Sequence, residues 1–440
     1  MVMFFRSAAG RALPARMACC ALALAFLLTP ASASAQAPNP LGPAEFYLES
    51  FAVEGLKAVS EELILSESLL QAGRTYTEGQ LKDAVHRIQR LPFVLDARFS
   101  LRKGSLRDRY ELVITVVEAR RWFVAIEGRQ IYADDGDFFA SDVYTDQFVV
   151  GRRFSLGKYG VLFAAVGDDD GGINVGYNHY NLFGRSILLS ASYSRFLPEL
   201  DRDNHLLSLA LGIPLRVNTS LRLSARYRVI DPNPINPGPV DVFVDVGDSR
   251  TWDVEAGWVF NSLDDPILPT SGLLVDAGVR YTEATDDLNL VDRSESPPSR
   301  TRLDLSGEGY GLGIEVRKFW SLTRRQSVFG GARLAYESSR SDQPTADGGV
   351  AFRRKVDSTI GSLEVGYDFF LLRDRRQERW RELRWESQAE GTKREVDSSP
   401  FPSFSPDWTA SLESGLVYRN GWGVYRFTFS YRWTDRGSLP

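Results

Sequence analysis

The chain has 440 residues, 43% hydrophobic, 25% charged and 12% aromatic, with a formal net charge of -5. That composition excludes collagen, coiled coil and wholesale disorder, because apolar content is ample and charge is moderate. Beyond the N-terminus no uncharged apolar run approaches the roughly 20 residues that a membrane helix needs. A slightly negative mean hydropathy suits a soluble protein and a membrane β-barrel equally, since barrel strands alternate lipid-facing and lumen-facing residues.

Arg6, Arg11 and Arg16 form a basic start, residues 17–28 an apolar core, and Ala33-Ser34-Ala35 a small-residue cleavage site. This predicts an export signal over residues 1–35, cut between Ala35 and Gln36. Cys19 and Cys20, the only cysteines, would leave with it. The mature chain would then have no disulfide, no thiolate metal site and no cysteine nucleophile. Losing three arginines and no acid would take the net charge from -5 to -8, which argues against nucleic acid as a partner. Residues 36–44 are Pro-rich and read as a short linker.

From residue 45 the pattern is mixed. A strand over 47–53 ends at Gly55. Ser60 is suited to cap a helix over 61–70 that stops before Gly73, and Thr77 a second helix with Leu81, Val85 and Ile88 at helical spacing. Strands follow over 93–101 and 110–117, with Leu112, Ile114 and Val116 on one face. The order is β-α-α-β-β, enough residues for a small core.

From residue 122 period-2 alternation takes over. Leu221, Leu223, Ala225 and Tyr227 alternate with Arg222, Ser224, Arg226 and Arg228. In the last such segment Tyr425, Phe427, Phe429, Tyr431 and Trp433 alternate with Arg426, Thr428, Ser430 and Arg432. Segments of about ten residues with one aromatic-aliphatic and one polar face mark a transmembrane antiparallel β-barrel of about 16 strands. Placing Arg426 outward near the membrane midplane would cost about 2–4 kcal/mol, so the arginine face should line the lumen. Polar stretches 231–248, 284–300 and 339–357 read as long external loops, and 181–185, 214–218 and 264–272 as short turns at the other end.

Residues 45–121 resemble a POTRA (polypeptide-transport-associated) domain. The resemblance rests on Val53-Glu54-Gly55, Leu63, Leu69-Leu70, Gly73, Tyr76, Leu81, Leu91-Pro92-Phe93-Val94 and Glu118. Two turns resemble those of the BamA/TamA-like POTRA plus β-barrel family of outer-membrane proteins (the bacterial surface antigen type of barrel). One is Asn181-Leu182-Phe183-Gly184-Arg185, similar to an N-L-x-G-R-G hairpin. The other is Asp265-Pro266-Ile267-Leu268-Pro269-Thr270-Ser271-Gly272, similar to a D-P-x-x-P-T-x-G turn. Asn and Gly permit tight-turn geometry there and Pro halts strand pairing.

The resemblance implies an outer-membrane protein whose POTRA domain, over 45–121 in the periplasm, receives an unfolded or extended client polypeptide. The barrel, over 122–440, would guide that client's insertion or export, with periplasmic accessory proteins as further partners, no cofactor and no enzymatic activity. The alternative is a passive porin-like or surface-antigen barrel whose POTRA domain only docks a partner. The family's lumen-inserted V/I-R-G-F/Y loop motif has no match; Phe352-Arg353-Arg354 is the nearest candidate for a lumen loop. Enzyme chemistry finds no foothold: there is no G-x-S-x-G elbow and no histidine pair at metal-ligand spacing. Asp134-Asp135-Gly136-Asp137 and Asp168-Asp169-Asp170 lack regular calcium-ligand spacing. The stretch from Arg373 to Arg384, with interleaved Glu, reads as charge pairing in the barrel wall or a loop.

Overall fold

The computed structural model describes residues 44–133, 142–167, 172–196, 202–232, 242–265, 267–292, 299–344, 350–375, 380–399 and 404–435. The expected export signal, Ala35, Gln36, the linker, Pro266 and both aspartate runs lie outside them, apart from the linker's last residue.

The N-terminal unit comprises β1 (Glu45–Glu54), α1 (Glu61–Ser68), β2 (Arg74–Thr77), α2 (Glu78–Gln89), β3 (Val94–Lys103) and β4 (Arg109–Glu118). Its sheet order is β2-β1-β4-β3. β1 runs parallel to β4 and antiparallel to β2, and β3 runs antiparallel to β4. The Ser60 side chain accepts from the Leu63 N–H, and Thr77 and Gln80 form a reciprocal capping box at α2. α1 stops at Ser68, earlier than the periodicity predicts, because Leu69 turns left-handed with φ 59°. Leu48, Leu63, Ile64, Leu81, Ile88, Leu112, Ile114 and Val116 make a core shielded almost completely from solvent. β2 was not expected. It pairs Arg74 with Leu48 and Thr77 with Glu45, giving the order β-α-β-α-β-β.

The second unit is a closed barrel. Its first strands are β5 (Trp122–Ala133), β6 (Asp142–Leu156), β7 (Gly160–Gly167), β8 (Gly172–Leu182) and β9 (Ile187–Phe196). β10 (Arg202–Arg216), β11 (Thr219–Pro232), β12 (Val242–Asn261), β13 (Gly272–Asp292) and β14 (Ser299–Thr323) follow. β15 (Gln326–Pro344), β16 (Val350–Asp374), β17 (Arg381–Ser399), β18 (Phe404–Asn420) and β19 (Gly423–Asp435) complete the wall. Among the described residues fifteen strands form the wall where about 16 were expected. An odd number of up-and-down strands leaves the first and last pointing the same way. Closure is therefore a parallel pair, Gly423–Arg432 against Val124–Ala133. Closure leaves no unpaired edge, which lipid demands.

Phe427 and Phe429 are 41% and 40% exposed, whereas Thr428 and Ser430 are 7% and 1%. The aromatic face thus points outward and the Arg426 face inward. Inside, Arg222 bridges Glu255 (2.5 Å) and Asp276 (3.0 Å), Arg280 meets Asp253 at 2.7 Å, and Arg317 meets Glu364 at 2.6 Å. Arg426 faces Glu127 and Glu386, both at 3.7 Å.

The wall is lopsided. β7 has 8 residues, while β14 and β16 have 25 each, against the roughly 9–11 that span a bilayer. Much of the three stretches expected as external loops is therefore strand: β12 begins at Val242, β13 runs to Asp292, and β15 and β16 reach Pro344 and Val350. Strands of that length carry the wall beyond the hydrocarbon into water.

Candidate functional site: the barrel floor

The short turns gather at one end of the barrel, the floor, and the N-terminal unit sits against them. Ser186 Oγ donates to the Ser66 carbonyl at 2.8 Å, and Ser60 and Ser155 hydroxyls donate to the Lys158 and Ala58 carbonyls. Arg90 donates to Asn218 Oδ1 at 3.0 Å, Lys158 pairs with Glu62 at 3.1 Å, and the Arg120 N–H meets the Gly421 carbonyl at 2.9 Å. Phe93 packs edge-on against Tyr180, with ring centroids 5.7 Å apart. Leu95 and Val117 bury Trp380, which precedes β17.

Burial in this junction shifts the ionisable groups that hold it. It pushes the Glu67 carboxyl up, although Arg87 lies 2.7 Å away. It pulls Arg90 down to about 10, with Arg87 beside it adding to the fall. His86 is likewise held below its usual range by burial, with Asp264 partly opposing.

The turn between β12 and β13 folds inward and reaches across the mouth. Its shape is set locally. Asp265 Oδ1 accepts from the Ile267 and Leu268 N–H groups, both at 2.9 Å, and Asp264 Oδ1 accepts from Thr270 N (2.8 Å) and Ser271 N (3.0 Å). Gly272 leaves the turn at φ 117°, where an added Cβ would strike the Ser262 carbonyl. Leu268 is fully buried and Pro269 is buried.

Three arginines from the far wall hold this turn. Arg419 Nη1 lies 2.8 Å from each oxygen of Asp265 and its guanidinium stacks on Trp380. Arg384 donates to the Pro269 carbonyl (3.4 Å) and Asp368 (3.2 Å) and pairs with Glu386. Arg375 reaches Glu382 (2.6 Å), Asp96 on β3 (3.8 Å) and Asp265 (4.0 Å). One side chain so links the N-terminal unit, the inward turn and the wall. Above the turn lies a lumen cavity of about 390 Å³ walled by Arg317, Asp368, Glu386, Glu413 and Arg426.

Of the residues singled out in the sequence, Asn181, Leu182, Gly184 and Arg185 form the turn between β8 and β9. There Asn181 Oδ1 accepts from the Ser186 N–H at 2.8 Å, and Phe183 and Gly184 are left-handed. Asp265, Pro269, Thr270 and Gly272 form the inward turn. The two motifs thus share the floor. Phe352, Arg353 and Arg354 do not form a loop: their backbone lies in β16, opposite Gln343, Asp342 and Ser341 of β15. The lumen-loop expectation is corrected here, because the ladder takes up their backbone groups. Sequence reading missed Asp96 and Arg419, which are charged positions without a local motif. Arg373, Arg375 and Arg384 do pair with acids as their interleaving with Glu suggests. Among the described residues no cluster of His, Cys, Asp and Glu is arranged to hold a metal.

An aromatic-aliphatic outer wall, a charged lumen and a small α+β unit on the turn end define an outer-membrane β-barrel carrying a POTRA-like unit. Residues 166–345 match the family model described as the Omp85 superfamily domain. Over those residues the barrel is similar to that of Omp85 superfamily proteins, and it is a β-barrel of the bacterial outer membrane. Among solved structures the chain is similar to BamA from Haemophilus ducreyi lacking POTRA domains 1-3, at 14% identity and TM-score 0.39, covering 88% of this chain and 84% of that one. It is also similar to CdiB from Acinetobacter baumannii, at 12% identity and TM-score 0.38 over 85% and 68% of the two chains. The siderophore receptor PiuA from Acinetobacter baumannii follows at 11% identity and TM-score 0.35, over 88% and 71%. No curated protein sequence matches the chain.

Proposed function

We propose that this protein assembles or translocates other polypeptides at the outer membrane, its POTRA-like unit receiving the client in the periplasm and its barrel guiding insertion or export. The observation that carries the reading is the placement of β3. It is an edge strand that pairs only with β4 among the described residues, so the outer side of 98–103 is free to add a client strand. Its other end touches the floor through Leu95 against Trp380 and Asp96 against Arg375. A client strand on β3 would begin one residue pair away from the latch on the inward turn. The charged lumen cavity above that turn suits a polar, extended segment. No cofactor enters this scheme; the driving energy is the client's own folding and burial. The N-terminal 35 residues would serve as the export signal.

The test is depletion followed by quantitation of outer-membrane proteins. Loss of one or a few specific clients, with general permeability unchanged, is the expected result. A change in permeability with every outer-membrane protein at its normal level would favour the passive-barrel reading instead.

A further inference from the structure

The lumen arginines Arg222, Arg280 and Arg384 all have carboxylate partners. Three arginines at the floor rim, Arg120, Arg121 and Arg152, do not. Arg152 of β6 stands directly opposite Trp122 of β5, and Trp122, Phe154 and Leu156 on that same face are 49%, 40% and 56% exposed. Arg152 therefore points to the membrane side, at the level where the wall meets the floor turns. Its guanidinium lies 5.3 Å from the Trp122 ring centre and 4.9 Å from that of Phe154. Its Nε is shut away from water and has no hydrogen-bond acceptor among the described residues.

The neighbouring strand adds a second stacked pair. Gly423 of β19 pairs with Val124, which sets Trp422, in the turn just before β19, level with Phe123 on the closing seam. Arg120 stacks 4.2 Å over the Trp422 ring, and the exposed Arg121 lies between Arg120 and Trp122 in the chain. Among the described residues no carboxylate lies within ion-pair distance of Arg120, Arg121 or Arg152.

A guanidinium facing lipid without a counter-charge is unfavourable, and a planar fork with free N–H groups matches a phosphate. Aromatic rings beneath it favour the interfacial depth at which headgroups lie. Carboxylate clients would meet the same charge, but the exposed Trp122, Phe154 and Leu156 alongside call for an occupant that also carries hydrocarbon.

We propose that the outer rim where β19, β5 and β6 meet binds an anionic phospholipid, with Arg120, Arg121 and Arg152 on its headgroup and Trp122, Phe154 and Trp422 against its glycerol and upper chains. The site lies on the strand pair that closes the barrel, so a bound lipid would bridge the first and last strands. This holds whether or not the protein handles clients.

The experiment uses the full chain, purified in a neutral detergent, stripped of lipid and offered phosphatidylglycerol or phosphatidylcholine with identical acyl chains. Native mass spectrometry reads the bound lipid. Retention of phosphatidylglycerol over phosphatidylcholine is expected, with affinity falling about fivefold for each arginine removed in the series Arg152→Gln, Arg121→Gln and Arg120→Gln. Arg324→Gln with Arg325→Gln, which removes two exposed charges from another floor turn, should leave binding unchanged. Heat-modifiable migration confirms that each variant is a barrel, and Arg152→Gln alone carries the test if the triple variant does not fold. Equal retention of the two lipids, undiminished binding by folded Arg152→Gln, or complete displacement by inorganic phosphate would each overturn the proposal. The last outcome would mark a site for the free ion.

Discussion

Replacing Arg419 by Met should release the inward turn while leaving the barrel wall intact. Asp265 and Arg419 are both almost wholly buried, and one guanidinium nitrogen contacts both carboxylate oxygens at 2.8 Å. Removing one member of such a pair leaves an uncompensated buried charge, which costs about 3–5 kcal/mol. Two backbone N–H groups still serve Asp265, and Arg375 lies 4.0 Å away. The lower end of that range, about 3 kcal/mol, is therefore the expected loss. It falls on local opening of the turn rather than on the wall, whose ladder pairs are untouched.

The described chain contains no cysteine, so a single Leu268→Cys probe reports that opening. Leu268 is fully buried in the turn, and thiol labelling there requires the turn to leave its seat. If closure is fast relative to labelling, a loss of 3 kcal/mol raises the labelling rate by about 150-fold. Pairing Arg419→Met with Asp265→Asn should recover part of this, because the lone buried charge is gone. Labelling of the Arg419→Met variant within about threefold of the parent, against the two orders expected for a broken buried pair, would refute the reasoning.

Other consequences follow from the same geometry. Phe427→Arg or Phe429→Arg puts a cation on the outer face at a cost of about 2–4 kcal/mol and should abolish heat-modifiable, membrane-inserted protein. Thr428→Arg points into the lumen cavity and should be tolerated; equal loss for both kinds of variant would contradict the inward-outward assignment. Tyr180→Ala removes the buried ring that packs on Phe93 and should loosen the docked unit by about 3 kcal/mol, seen as faster proteolysis between residues 118 and 122 with the barrel still heat-modifiable. An unchanged cleavage rate would mean that the ring contact does not hold the unit. Burial holds His86 below 6.5 in the folded protein, so the released form binds the proton first. The stability it confers is full above pH 6.5 and is lost as pH falls through the depressed value. Docked-unit stability should therefore fall more steeply from pH 7.5 to 5.5 in the parent than in His86→Gln. Glu67, raised by burial, acts in the opposite sense in both, so identical slopes would exclude His86 from the junction's pH response.

Much of the architecture was legible because membrane and core impose periodicity. The alternation of Tyr425, Phe427 and Phe429 with Arg426, Thr428 and Ser430 gave both strand and facing, since lipid excludes the arginines. Ser60 and Thr77 marked their helices because orphan N–H groups at a helix start need an acceptor. The motif turns were legible as turns, but not that the one at Asp265 folds into the barrel mouth. That depends on Arg419, 154 positions away in the chain, and no local signal carries such a separation. β2 escaped notice because Arg74-Thr75-Tyr76-Thr77 is short, polar and held by pairing with β1 alone. The outer ends of β13 to β16 read as loops for the opposite reason: strands this long run past the hydrocarbon, where lipid no longer enforces alternation. Phe352-Arg353-Arg354 drew attention as a basic-aromatic stretch in just such a segment, and its backbone belongs to the ladder.

The central claim is that a client passes from the edge of β3 to the lumen above the inward turn. In vivo photocrosslinking from two positions tests it most directly: Ser100, exposed on β3, and Glu413, on the wall of the lumen cavity. The account predicts that the same client polypeptide is captured at both, and that Arg419→Met alters its yield at Glu413 without reducing that at Ser100. Capture of no polypeptide at either position, in cells where the folded protein is abundant, would contradict it.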